Sequence, residues 1–141
     1  MNRPDFEALR DLPDKRILTD IRFVRRAALH PACVAENIPI QTSRPVDLRL
    51  HIAFNPETGA KTFNVFIAGS GPICRLDVDG PAHRPAGRSH KHSLQTARCP
   101  ERNLPAGVID RPDLSGKGIR ELFELFCEMA QISHTGEFVE P

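Results

Sequence analysis

The densest grouping of reactive side chains lies between Cys74 and Thr96, in Arg75-Leu76-Asp77-Val78-Asp79-Gly80-Pro81-Ala82-His83 followed by His90-Lys91-His92. Asp77 and Asp79 stand two apart, so on a strand both carboxylates leave one face. Paired carboxylates hold a divalent metal or exchange protons. His90 and His92 are also two apart, and imidazoles so placed converge on one point, a common way to present two metal nitrogens. His83 precedes them across a Gly/Pro/Arg-rich loop. Asp77, His83, His90 and His92 are therefore the candidate ligands of a divalent metal. They are equally the candidate catalytic groups of a metal-free site, because an imidazole near its ordinary pKa acts as general acid or base. Arg75 and Lys91 are the candidate substrate contacts, suited to holding a phosphate. These residue types are the minimal kit for cleaving RNA through its own 2′-hydroxyl. The competing reading is structural: solvated acids on an outer strand face, and histidines that tie the 80–89 loop to the sheet.

Other motifs fail on inspection. Ser115-Gly116-Lys117-Gly118 resembles the tail of a phosphate-binding loop, but Arg111 stands where the earlier glycine belongs and Gly118 where Ser or Thr belongs. Gly69-Ser70-Gly71 lacks a third glycine and a following helix, and reads as a turn. Cys33, Cys74, Cys99 and Cys127 are scattered without a C-x-x-C pair, which predicts free thiols and a reducing compartment. No apolar run approaches a membrane span, and Met1 to Asp5 does not open a signal peptide. The expected location is cytoplasmic, with no membrane partner. Lys and Arg total 19 against 18 acids, so the overall charge gives no prior for a polyanionic partner. The strongest local basic cluster is Lys15, Arg16, Arg22, Arg25 and Arg26, either a solvated face or a phosphate contact.

The elements that must position these groups follow from periodicity. Asp5 to Leu12 predicts a short helix ended by Pro13. Ile17 to Val24 alternates weakly and reads as a strand. His30 to Pro45, with three prolines, predicts a connecting loop, so residues 1–45 form a loop-rich N-terminal segment of a single 1–141 domain. Val46, Leu48, Leu50, Ile52 and Phe54 alternate with polar residues in a half-buried strand. Asn55 to Gly59 is a turn, and Thr62 to Ala68 returns with Phe63, Val65 and Ile67 on the core side. Ile73 to Asp79 and His90 to Thr96 are the next strands, and Ala106 to Asp110 a short one. Ile119, Leu122, Phe123, Phe126, Met129 and Ile132 recur at helical steps, predicting an amphipathic helix over 118–132. The fold class is α+β: an antiparallel meander with the C-terminal helix packed on one face. Leu48, Leu50, Ile52, Phe63, Val65, Leu76, Phe123 and Phe126 are the expected core.

The run from Arg75 to His83 and the His90-Lys91-His92 strand resemble the TumE-like toxin family of bacterial toxin–antitoxin modules. They also resemble a small bacterial and phage family with an Arg-Leu-Asp core and a following His-x-His strand. The second resemblance extends to Leu122-Phe123-Glu124-Leu125-Phe126-Cys127. Arg84 stands where the toxin pattern has a second histidine, and Ser93-Leu94 where it often has an aromatic residue. The resemblance points to Arg75, Asp77, His83, His90 and His92. It implies a toxin-type nuclease acting on nucleic acid, RNA before DNA, with a cognate antitoxin. The alternative is a non-catalytic phage or mobile-element protein that binds a host protein.

Overall fold

The computed structural model describes residues 3–26, 32–82, 87–92 and 108–141. Among them, seven strands form one antiparallel sheet in chain order. These are β2 (Val24–Arg25), β3 (Cys33–Ile40), β4 (Leu48–Phe54), β5 (Lys61–Ile67), β6 (Gly71–Val78), β7 (His90–His92) and β8 (Val108–Asp110). Helix α1 (Arg3–Arg10) precedes the short strand β1 (Lys15–Ile17), and helix α2 (Ile119–Ala130) precedes β9 (Ile132–His134). β1 and β9 pair in parallel outside the main sheet. The architecture is the expected α+β meander with a C-terminal helix.

Period-two alternation creates the two faces. Leu48, Leu50 and Ile52 of β4 register with Ile67, Val65 and Phe63 of β5, and Val65 and Phe63 with Cys74 and Leu76 of β6. All of these are buried. Burying one such side chain stabilises the fold by roughly 1.5–3 kcal/mol. Helix α2 lies on this face, with the Phe126 and Phe63 rings stacked at 5.2 Å. Phe6 and Leu9 of α1 join the same core. All eight residues expected in the core are there. The opposite face carries Arg49, His51, Thr62, Asn64, Phe66, Arg75 and Asp77, the alternate positions of the same strands.

Several expectations need correction. Residues 30–45 are not simply a loop: Cys33–Ile40 is an eight-residue strand. Its alternation is broken by a bulge between Ala35 and Ile38, where Asn37 takes a left-handed φ of 57°. Pro39 is tolerated because β2 pairs only with Cys33 and Val34, leaving the rest of β3 on an edge. Ile17 to Val24 is not one strand but β1, an isolated bridge at Ile21 and β2. Helix α1 ends at Arg10, earlier than Leu12. Helix α2 stops at Ala130, with Gln131 left-handed at φ 54° and its N–H on Cys127 O and Glu128 O; Ile132 begins β9 instead. The basic cluster loses Lys15, which is buried beneath α1. Arg22 is paired with Asp20 and Glu137, and Arg26 with Glu36. Cys33, Cys74 and Cys127 are all buried; Cys99 lies outside the described residues. Burial, reinforced by Glu124, pushes the Cys127 thiol up to about 12, so it is inert at neutral pH. No helix among the described residues is long and apolar enough to cross a membrane.

Candidate functional site

Strand register decides which predicted residues meet. Asp77 of β6 lies directly opposite His90 of β7, and Arg75 opposite His92. On the other side Asp77 faces Thr62 and Arg75 faces Asn64. Lys91 pairs with Leu76 and Ile109, one step off the Arg75 and Asp77 positions. The described part of β7 ends at His92. His83 and residues 93–96 of the expected His90–Thr96 strand lie outside the described residues.

Asp77 is the hub. Its side chain is 7 % exposed, against 39 % for Arg75. Arg75 donates through Nε to Oδ2 at 2.9 Å and through Nη2 to Oδ1 at 3.0 Å. The Thr62 hydroxyl donates to Oδ1 at 2.7 Å. Desolvating a carboxylate is costly unless charge and hydrogen bonds compensate it, and here both do. His90 has no solvent exposure. Its Nδ1 lies 2.8 Å from the Gly87 carbonyl, which only accepts, so Nδ1 carries a proton and donates. Its Nε2 lies 3.6 Å from Asp77 Oδ2, in ion-pair range but longer than a hydrogen bond. Gly87 is held in turn by its N–H on Asp110 Oδ1 at 3.2 Å. The cluster therefore joins β5, β6, β7 and the turn before β7.

Asp79 does not share the Asp77 face. It follows the end of β6 with a left-handed φ of 54°, and that turn carries its carboxylate toward the helix side. There it accepts the Ser115 hydroxyl at 2.5 Å and the Gly116 N–H at 2.9 Å, with Lys61 Nζ at 3.7 Å. Asp79 is a clasp between β6 and the turn leading to α2, and the expected pair of carboxylates is not formed. Burial raises its pKa, but the Ser115 and Gly116 hydrogen bonds and the Lys61 and Arg88 charges outweigh that and hold it below the usual carboxylate range. A depressed carboxylate stabilises the fold above its unfolded pKa and loses that contribution as pH falls through the folded value. Asp79→Asn is expected to cost about 1–2 kcal/mol at pH 7. In urea unfolding the gap to wild type should persist at pH 5 and narrow at pH 3. An equal gap at pH 3 would show that the charge is not the cause.

No group of three or more His, Cys, Asp or Glu side chains able to hold a metal gathers among the described residues. Asp77, the one acid beside His90 in the expected set, has its oxygens engaged by Arg75 and Thr62. His83 and the side chain of His92, the other members of the expected set, lie outside the described residues. Thr62, Gly87 and Asp110 are parts of the cluster that the motif reading missed. Thr62 had a faint signal, as the polar alternate of Phe63 in β5; Gly87 and Asp110 had none without the β7–β8 register. A groove of about 400 Å³ lined by Asp5, Ala8, Leu9, Arg44, Pro45 and Val46 contains none of the predicted site residues. No family model matches this chain, and no curated protein or solved structure matches it either.

Proposed function

We propose that this chain is a non-catalytic binding protein in which Arg75, Asp77 and His90 form a structural tie. The observation that carries this reading is the closure of the pair: His90 has no exposure and Asp77 is 7 % exposed, both bonded to protein groups. A general base must come within hydrogen-bond reach of the proton it removes, and a polynucleotide 2′-hydroxyl is attached to a bulky chain. The Asp77 oxygens and His90 Nδ1 are each held by protein partners, as buried groups of a structural network are.

A toxin-type nuclease is the second reading, and one observation favours it. The Arg75 guanidinium is 39 % exposed, and its strand position is opposite His92. In that reading Arg75 and Lys91 hold a phosphate, and His92, with His83, does the acid–base work.

The test incubates purified protein with labelled RNA and DNA, with and without divalent metal. Wild type is expected to cleave neither. His90→Ala should lower stability by roughly 1–2 kcal/mol through the lost Gly87 bond. Cleavage by wild type that disappears in a folded His90→Ala/His92→Ala variant would overturn the binding reading in favour of the nuclease.

A further inference from the structure

The sheet face opposite the helices carries Arg49, His51, Asn64 and Phe66, which the structural tie does not use, beside Arg75, which it does. Phe66 is half-buried on this face, at the alternate position to Val65 and Ile67 and outside the hydrophobic core. Its cross-strand partner is Arg49, and Asn64, two residues back on β5, lies between His51 and Arg75. The two guanidiniums are braced alike. Arg49 gives Nε and Nη2 to Asp47 at 2.9 Å each, as Arg75 gives Nε and Nη2 to Asp77. Among the described residues neither gives Nη1 to a partner, and the side chains are 36 % and 39 % exposed. Among the described residues Asn64 Oδ1 is buried and accepts no hydrogen bond, and an unsatisfied buried acceptor calls for an explanation. Rotation about the soft terminal torsion of an Asn side chain can present such an amide to a ligand. Burial holds the His51 pKa below its usual value, although Glu36, with its Oε1 3.5 Å from Nδ1, opposes this, so the ring is neutral at pH 7.

An aromatic ring, two flat guanidiniums with free edges, a neutral imidazole and an amide with an unpaired oxygen make a recognisable chemistry. Rings and guanidinium planes stack on bases, Nη1 reaches a phosphate oxygen, and an amide reads a base edge. The three strands that carry them span about 10 Å, room for a short single-stranded segment. A duplex hides its base faces and cannot use such a platform. We propose that Arg49, His51, Asn64, Phe66 and Arg75 form a binding platform for single-stranded nucleic acid on the open face of the sheet. This rests on the binding-protein reading and supplies its ligand.

The experiment is fluorescence anisotropy with a short labelled RNA of mixed sequence, the same sequence as single-stranded DNA, and the matching duplex. Wild type is expected to bind single strands in preference to duplex. A preference for RNA over DNA would assign part of the affinity to the 2′-hydroxyl; equal binding would assign it to the bases, and both agree with the platform. Phe66→Ala, a half-buried position outside the core, should weaken single-strand binding roughly 5- to 100-fold. Phe66→Tyr should restore it, with unchanged circular dichroism in both variants. No binding, equal affinity for duplex, or unchanged affinity in Phe66→Ala would each overturn the platform. A gel of the titrated RNA separates the two proposals: cleaved but bound RNA removes the non-catalytic reading and leaves the platform, whereas intact unbound RNA does the reverse.

Discussion

Gly136→Ala is expected to melt on the order of 10 °C below wild type. The chain after β9 forms a strap that continues parallel to the segment following β1, in a ladder of backbone bonds. Thr135 N–H donates to Ile17 O, Ile21 N–H to Glu137 O and Val139 N–H to Ile21 O. Asp20 Oδ1 accepts the Glu137 N–H at 2.9 Å. At Gly136 the two strands touch. A Cβ there would lie 2.3 Å from the Thr19 carbonyl oxygen, 2.5 Å from its carbon and 2.8 Å from Asp20 N. These are backbone atoms, so no side-chain rotation relieves the contact. The strap must lift, and with it Phe138, which is buried and stacks on Phe123 of α2 at 4.7 Å. Overpacking usually costs 1–3 kcal/mol, and a clash with backbone belongs at about 3 kcal/mol or above. Calorimetry on the two proteins checks this. A melting temperature within about 2 °C of wild type would mean that the strap does not lie against Thr19.

The parts of this fold that were legible share one property: their pattern was local. Val46 to Phe54 alternates because one face of β4 is buried, and Ile119 to Phe126 repeats at helical spacing because one stripe of α2 meets Phe63. What was not legible depended on a backbone feature that resets the period. The bulge at Asn37 places Ala35, Ile38 and Ile40 on the core side at steps of three and two, which no strand template matches, and Pro39 argued against a strand. At Asp79 a single left-handed residue moved a carboxylate from one face of the sheet to the other, so the Asp77/Asp79 pair that period two implied does not exist.

The candidate site divides in the same way. The spacing of Asp77 to His90 and of Arg75 to His92 carried no register, yet a meander makes β6 and β7 neighbours, and the two-residue spacings then place both pairs in step. Exposure was the quantity the residue types could not carry. A carboxylate and an imidazole on adjacent strands read alike whether open to solvent or enclosed. Thr62 and Gly87, which bond to Asp77 and His90, depend on cross-strand geometry that the residue types do not show. The platform residues were invisible for the converse reason: Phe66 and Asn64 are ordinary in a strand, and only the pairing that sets them beside Arg49 and Arg75 makes them a surface.

Lys15→Met should produce the other large loss of stability. In the sequence Lys15 stands beside Arg16 and reads as one charge of a basic patch. In the structure it is 1 % exposed and closes the end of α1. Its ammonium donates to the Arg10 carbonyl at 2.5 Å, to Leu12 O at 2.7 Å and more weakly to Leu9 O at 3.4 Å. A helix leaves its last carbonyls without partners, and a cation there also meets the negative end of its dipole. Methionine keeps most of the stem and its packing but removes all three donors. The part-buried Arg10 and Leu12 carbonyls then lose this donor, at an expected cost of about 2–4 kcal/mol. Burial lowers the Lys15 pKa from its ordinary 10.5, with Cys74, Asp11 and Asp14 opposing the shift. Between the lowered value and 10.5 the unfolded chain holds a proton that the folded chain releases, so wild-type stability relative to Lys15→Met should rise with pH in that alkaline window. Urea unfolding of both proteins at pH 7 and across that window measures both effects. A loss at pH 7 below about 0.5 kcal/mol, the range of an ordinary surface substitution, would return Lys15 to the role of a solvated surface charge.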